Sequence, residues 1–259
     1  MNRIKDYKKL SEDIVQWIRQ YAQDNNIKSL VVGVSGGIDS AVVSTLCALT
    51  GLPTTVLVIN IHSKEDHIAI ANTHCASLED KYENIHWKYS IMSRVIDNIS
   101  FPGNNSELAY ANTKSRLRMI ELYNHATTTN GIVVGTGNKV EDFGVGFFTK
   151  YGDGGVDISP IADLYKTEVR ELGRYLGISQ EILDAAPTDG LFEDGRTDED
   201  QIGATYEELE WIMERYTDPI MGEYEEFTPR QIEVSKIYRN LHKQNRHKML
   251  PIPIYKLNG

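Results

Sequence analysis

Four short runs rich in Val, Ile, Leu and Thr punctuate the first half of the chain: SLVVGV at 29–34, TTVLVIN at 54–60, IHWKYSI at 85–91 and GIVVG at 131–135. Each is bounded by turn residues and the first three are followed by a segment of helical composition, so the pattern is strand, helix, strand, helix. The first helix begins at Ser11 and sets Ile14, Val15, Ile18 and Tyr21 on one face. Further helices are expected at Asp39 to Leu49, at Glu65 to Leu78, and after a Ser106 cap, where Leu108, Leu117, Ile120 and Tyr123 recur near helical spacing before a turn at Asn130-Gly131. Strands alternating with helices form a parallel sheet covered on both faces, because each crossover lays its helix across the sheet. The expected fold is therefore α/β, a Rossmann-like doubly wound sheet whose ligands lie beyond the C-terminal strand ends.

Past Gly135 the alternation stops. A glycine-rich, aromatic and acidic stretch runs to Pro160, a helix is expected from Asp163 to Leu176 with Gly177 as its stop, and a smaller one from Ser179 to Leu183. Pro187 to Gly203 is polar and turn-rich and reads as a mobile loop, with helices following at Tyr206 to Tyr216 and Pro229 to Lys243. A chain of 259 residues fits one large domain spanning 1–259. Its net charge of −10 argues against a nucleic-acid surface, which needs clustered Lys and Arg. No uncharged apolar run reaches membrane-spanning length and no signal-peptide core follows the N-terminus, so no membrane partner is expected and the location is cytoplasmic. Cys47 and Cys75 lack the CxxC spacing of a metal or redox site and read as small apolar core residues.

The chemistry begins at Gly33-Val34-Ser35-Gly36-Gly37-Ile38-Asp39-Ser40, set between the first strand and its helix. Glycines let the backbone turn tightly and aim N–H groups at an anion, the serines add hydroxyls, and the helix start adds the positive end of its dipole. This is a phosphate cradle, but neither a Walker A loop, since the GxxxxGK[ST] lysine is missing, nor a GxGxxG turn. Asp39 inside the cradle would repel phosphates unless Mg²⁺ stood between them, which implies a metal-nucleotide complex.

The SGGIDS run resembles the pyrophosphate loop of the N-type ATP pyrophosphatases, an adenine nucleotide alpha hydrolase-like group that splits ATP between the α and β phosphates. Gly135-Thr136-Gly137-Asn138-Lys139-Val140-Glu141 and the run from Gly146 through Phe147, Phe148, Thr149, Lys150 and Gly152 to Asp157 are very similar to the signature of the NAD synthetase family. The resemblance covers nearly the whole chain. It implies an ATP site of Gly33, Val34, Ser35, Gly36, Gly37, Ile38, Asp39, Ser40, Thr136, Lys166 and Thr188, and a deamido-NAD site of Arg116, Lys150, Asp157, His247 and Lys248. It also implies catalytic roles for Asp157 and Lys166, with Asp157 a candidate proton acceptor, and Mg²⁺ held by Asp39 and Glu141. In the family the metal-binding glutamate stands one residue nearer the Phe-Phe-Thr-Lys run. Counting forward from Thr136 selects Glu141 and counting back from Lys150 selects Asp142; residue type favours Glu141, with Asp142 the alternative.

The implied reaction joins ammonia to the nicotinate carboxylate of deamido-NAD through an adenylate, releasing AMP and diphosphate. The chain has no room for an added glutamine-hydrolysing domain of about 250 residues, so free ammonia is the expected donor, and a homodimer with substrate across its interface is the expected assembly. Two other readings stay open at this level. A tRNA-modifying or GMP-forming pyrophosphatase would share SGGIDS but lack GFFTKYGDGG, and a noncatalytic nucleotide sensor would not require Asp39, Glu141 and Asp157 together.

Overall fold

A computed structural model of the chain describes residues 3–99, 106–187, 197–216 and 227–257. The sheet consists of β1 (Ser29–Gly33), β2 (Thr54–Asn60), β3 (Ile85–Ile91) and β4 (Gly131–Val133). Its order is β3-β2-β1-β4 with every pairing parallel. Helix α1 (Tyr7–Asp24) precedes the sheet, and the helices between the strands are α2 (Ile38–Leu49), α3 (Glu65–Lys81), the short α4 (Ser93–Asp97) and α5 (Glu107–Thr128). The expected α/β sheet flanked by helices is thus present, with each of the four strands at its expected place.

Alternation along each strand decides which helices it meets. Leu30 and Val32 of β1 pack with Ile14, Val15 and Ile18 of α1 and with Ala41, Val42 and Leu46 of α2. Val31, one residue on, joins Leu57, Val133 and the α5 residues Leu117 and Leu122 on the other face. The α5 periodicity was a partial guide: Leu108 and Ile120 are exposed, and the buried stripe runs through Ala111, Leu117, Met119, Leu122 and Ala126. Cys47 and Cys75 are free and fully buried in α2 and α3. Among the described residues no helix is long and apolar enough to cross a membrane.

A second, smaller core carries the C-terminal helices. It joins Tyr206, Leu209 and Ile212 of α9 (Tyr206–Tyr216) and Val234 and Tyr238 of α10 (Pro229–Met249) to Val140 and Val145, which begin and end a six-residue π turn. Between the cores lie α6 (Lys166–Leu176), which ends at a left-handed Gly177, and α7 (Gln180–Asp184). The expected loop from Pro187 to Gly203 needs correction at its C-terminal end. Asp198–Ile202 is a short helix, α8, because Thr197 and Asp200 form a reciprocal capping box that satisfies its first N–H groups. Residues 188–196 of that loop, Thr188 among them, lie outside the described residues.

The contact between α2 and α3 contains a buried polar pair, Ser44 Oγ and His74 Nε2 at 2.9 Å. Burial holds the His74 pKa down at about 4, whereas an unfolded histidine takes up its proton near about 6.5. Above that pH both states are neutral; as pH falls from about 6.5 towards 4 only the unfolded state gains the proton, and stability drops by at most about 3 kcal/mol. Urea midpoints measured from pH 7 to pH 5 should fall for the native chain and flatten in His74→Gln.

Candidate active site

β1 connects rightward through β2 to β3, whereas β4 returns to the opposite side of β1. A crevice opens where strand order reverses, at the carboxyl ends of β1 and β4. The two loops singled out in the sequence leave the sheet at this point.

The first is Val34 to Gly37. Gly36 has φ +90, and a Cβ there would stand 2.8 Å from the carbonyl oxygen of His67, so both conformation and space require glycine. Ser40 Oγ donates to Gly37 O at 2.9 Å and accepts from Ser35 N at 3.2 Å, while Gly37 N donates to Ser35 Oγ at 3.2 Å. The loop is thereby closed over the N-terminus of α2, which presents Ile38 and Asp39 in its first turn.

The second loop continues from β4 through Thr136 to Asn138. Asn138 is fully buried; its Oδ1 accepts from the N–H groups of Val140 and Glu141 at 3.1 and 3.2 Å, and its Nδ2 reaches Asp39 Oδ2 at 3.4 Å. This caps the π turn at Val140–Val145, which closes on a left-handed Gly146. A π turn holds one residue more than the α-helical turn it replaces. Glu141 is its second residue, and Phe147 N donates back to Glu141 O at 2.9 Å.

Lys166 opens α6 and reaches both loops. Its Nζ donates to Asp39 Oδ2 at 2.5 Å and to Glu141 Oε1 at 3.0 Å, with all three side chains largely withdrawn from solvent. Burial opposes the lysine's charge, but the adjacent Asp39 and Glu141 outweigh it and hold the ammonium above its ordinary pKa. Burial pushes the Asp39 carboxyl up to about 6; the pull of Lys166 opposes this, and the negative charge of the neighbouring Glu141 adds to it. One cation between two carboxylates leaves a net negative cluster, and Asp39 Oδ1 is buried with no hydrogen-bond partner. Glu141 thus occupies the place shared with Asp39 and Lys166. Asp142 turns instead towards Gly137, and burial together with Glu141, Asp153 and Asp39 pushes its carboxyl up to about 8.

A second constellation forms beside the first. Asp153 Oδ1 accepts from Ser115 Oγ at 2.6 Å and from Thr149 N at 3.0 Å, and Thr149 Oγ1 donates to Asn112 Oδ1 at 2.6 Å. These bonds pin the TKYGDG turn to α5 so closely that a Cβ on Gly152 would stand 2.2 Å from Ser115 Oγ. Arg116 Nε donates to Lys150 O at 3.3 Å, Lys150 Nζ to His247 O at 3.4 Å, and Lys248 Nζ to Phe148 O at 2.7 Å. Arg116, Lys150, His247 and Lys248 are therefore gathered from α5, the turn and the end of α10. Asp157 stands apart from the lysine cluster: Oδ1 accepts from Tyr123 OH at 2.9 Å and Oδ2 from Val133 N at 2.8 Å, fastening the segment to β4 and α5.

Three residues at the site were not among the sequence candidates. Asn138 had a visible signal, its place inside the GTGNKVE run. Tyr206 and Asp198 had none. Tyr206 OH donates to Glu141 Oε1 at 2.6 Å and lies 3.3 Å from Asp198 Oδ2.

The NAD synthase family model matches residues 10–251. The chain belongs to the NAD synthase family. It is 41% identical over 215 residues to the NH(3)-dependent NAD(+) synthetase of Carboxydothermus hydrogenoformans, covering 80% of this chain and 86% of the relative. Among solved structures it is similar to NMN synthetase from Francisella tularensis, with TM-score 0.86, 31% identity, and 98% and 100% of the two chains covered. The NH3-dependent NAD synthetase from Campylobacter jejuni gives TM-score 0.77 and 25% identity over 97% and 100%. By homology over most of the chain, its activity is ammonia-dependent NAD synthesis, a ligase reaction driven by ATP.

Removing the cation from a buried cluster of this kind leaves carboxylates uncompensated and costs about 3–5 kcal/mol. Lys166→Met should lower metal-free urea stability by that order, and adding Glu141→Gln should recover part of the loss.

Proposed function

We propose that the crevice at the ends of β1 and β4 adenylates the nicotinate carboxylate of deamido-NAD and then passes the acyl group to free ammonia. The observation that carries this reading is the net-negative cluster of Asp39, Glu141 and Lys166 beside the Gly33–Ser40 loop. A carboxylate does not react with ammonia directly because its oxygen is a poor leaving group. Attack of that carboxylate on the α-phosphorus breaks the bond to the β-phosphate and releases diphosphate; ammonia then adds to the acyl carbon and AMP departs. Positioning and charge neutralisation supply most of the acceleration in such transfers.

Ser35, Gly36, Gly37 and Ser40 hold the departing diphosphate through N–H and hydroxyl groups at the start of α2, with Gly33, Val34, Ile38 and Thr136 lining the nucleotide's path. Mg²⁺ suits the acidic cluster: both donors are hard carboxylate oxygens, and Asp39 Oδ1 is buried without a partner. Among the described residues no group of three His, Cys, Asp or Glu gathers as a metal cage. Mg²⁺ in nucleotide sites is held by one or two carboxylates and otherwise by phosphates and water. Asp39 and Glu141 would hold the ion, which would supply neutralisation of phosphate charge. Lys166 has a flexible stem and a charge that persists under burial, and it carries that charge to the phosphates. Arg116, Lys150, His247 and Lys248 bind the dinucleotide. Asp157 is fastened by Tyr123 and Val133, and its carboxylate oxygens keep further lone pairs; it contributes to the dinucleotide site and is the candidate acceptor for the proton that the attacking ammonia loses.

In this reading the chain acts as one catalytic domain, in the cytoplasm, as a homodimer. The exposed apolar Leu108 and Ile120 on α5, the helix that bears Arg116, support an interface there. The likeness to the Francisella NMN synthetase over both full chains favours a second acceptor of the same chemistry, nicotinate mononucleotide, which offers the identical carboxylate without the adenylate half.

Assays of AMP and of amidated product from ATP and ammonia, with deamido-NAD, nicotinate mononucleotide or neither, test the reading. AMP formation that needs a nicotinate acceptor supports it, and the ratio of kcat/KM ranks the two acceptors. AMP formed equally without either would overturn it. Asp39→Asn should keep the fold and lose at least about 100-fold in turnover at limiting Mg²⁺. Arg116→Ala should raise KM for the nicotinate acceptor more than KM for ATP.

A further inference from the structure

The oxygen atoms of Glu141 are used unequally. Lys166 Nζ and Tyr206 OH both donate to Oε1, at 3.0 and 2.6 Å. Tyr206 is fully buried in the second core, with the Lys166 ammonium 4.9 Å above its ring centroid. Its backbone is held as well, since Tyr206 N donates to Glu199 Oε1 at 2.9 Å. A phenol has a single proton to donate. The 2.6 Å distance to Glu141, against 3.3 Å to Asp198, assigns that proton to the glutamate.

We propose that Tyr206 is a positioning residue that holds Glu141 Oε1 against Lys166 and leaves Oε2 as the oxygen presented to the metal. This rests on the reading of Asp39 and Glu141 as metal ligands. A glutamate on a π turn has three rotatable side-chain bonds, and Lys166 alone is a poor clamp because the same ammonium also serves Asp39 and the phosphates. Tyr206 comes from a rigid, apolar helix face and is tied to none of those partners. Its ring, packed with Val140, Leu209 and Met213, sets the hydroxyl in place without help from the ligands. Groups of this kind behind a metal ligand typically change metal affinity by about 10–100-fold when removed.

The test uses Mn²⁺ as the probe, titrated calorimetrically or by electron paramagnetic resonance into the full chain with α,β-methylene ATP, and does not depend on turnover. Tyr206→Phe keeps the buried ring and removes only the hydroxyl. It should weaken Mn²⁺ binding at least about 10-fold and raise the Mg²⁺ concentration for half-maximal rate in parallel, while KM for deamido-NAD stays within about twofold. In a Glu141→Gln background the same substitution should have no further effect on Mn²⁺ affinity. Asp198→Asn disturbs the same corner of the second core but leaves the Tyr206 hydroxyl on Glu141, and should keep Mn²⁺ affinity within about twofold. Tyr206→Phe binding Mn²⁺ as the native chain does, or Asp198→Asn weakening it as much as Tyr206→Phe, overturns the positioning role. Should Tyr206→Phe fail to fold, the outcome for Asp198→Asn decides between positioning and general support of the corner. An unchanged Mn²⁺ affinity in Glu141→Gln overturns the metal-site reading itself, and the Tyr206 role with it. Weakening in Glu141→Gln without weakening in Tyr206→Phe overturns the Tyr206 role alone.

Discussion

Two carboxylates buried side by side would expel each other or take up protons unless a cation stood between them. Asp39 follows the first strand, Glu141 the fourth, and Lys166 begins a helix after both, so their meeting requires the reversal of strand order that sets β4 beside β1. The local features around the crevice all fix one member of this group. Gly36 allows the loop to turn into α2 and put Asp39 in its first turn. Asn138 ties the start of the π turn to Asp39, and the Glu168 carboxylate, accepting from Tyr165 N at 2.8 Å, fixes the start of α6 at Lys166. The cluster is under-compensated by design of its charges, and that deficit is the property a metal-nucleotide substrate would satisfy.

The two cores divide the work. The sheet and its helices carry Asp39 and the phosphate loop, whereas the smaller helical core carries Tyr206 and, at the end of α10, His247 and Lys248. The π turn belongs to both, since Val140 and Val145 are buried in the smaller core while Glu141 faces the larger one. His242 and Asn245 of α10 bond to the carbonyl oxygens of Gly144 and Val145 at 2.8 Å each. The helix that ends in His247 and Lys248 is thus fastened to the segment that carries Glu141.

Elements specified by their own residues were legible in the sequence. Strands 29–33, 54–60, 85–91 and 131–133 stand where β-branched runs meet turn residues, and Ser106 and Gly177 mark a helix start and a helix end by side-chain capping and left-handed backbone. What depends on tertiary contact was not legible. Periodicity on α5 identified a helix but not its buried face, because Ser115 and Asn112 are covered by a glycine turn thirty-odd residues on. Tyr206 was legible only as the start of an expected helix, and nothing local shows that it is buried or that its hydroxyl ends on Glu141. The candidate roles of Arg116, Lys150, His247 and Lys248 came from family resemblance; only the folded chain brings them into one patch. The helix at Asp198–Ile202 was hidden inside a polar stretch whose capping box outweighs its poor composition.

The π turn begins a segment anchored at both ends. Its two ends are tied to different things: Asn138 and Lys166 hold the Glu141 end, while Ser115 and Asn112 hold the turn that starts at Thr149. An ordinary α-helical turn between two such anchors would transmit any added residue as a rotation of about 100° of everything downstream. A π turn absorbs it as a local swelling of the backbone ring. The segment from Glu141 to Thr149 is therefore held at both ends by tertiary contacts, so the bearing of the side chains at its ends is fixed by anchors and not by a count of residues.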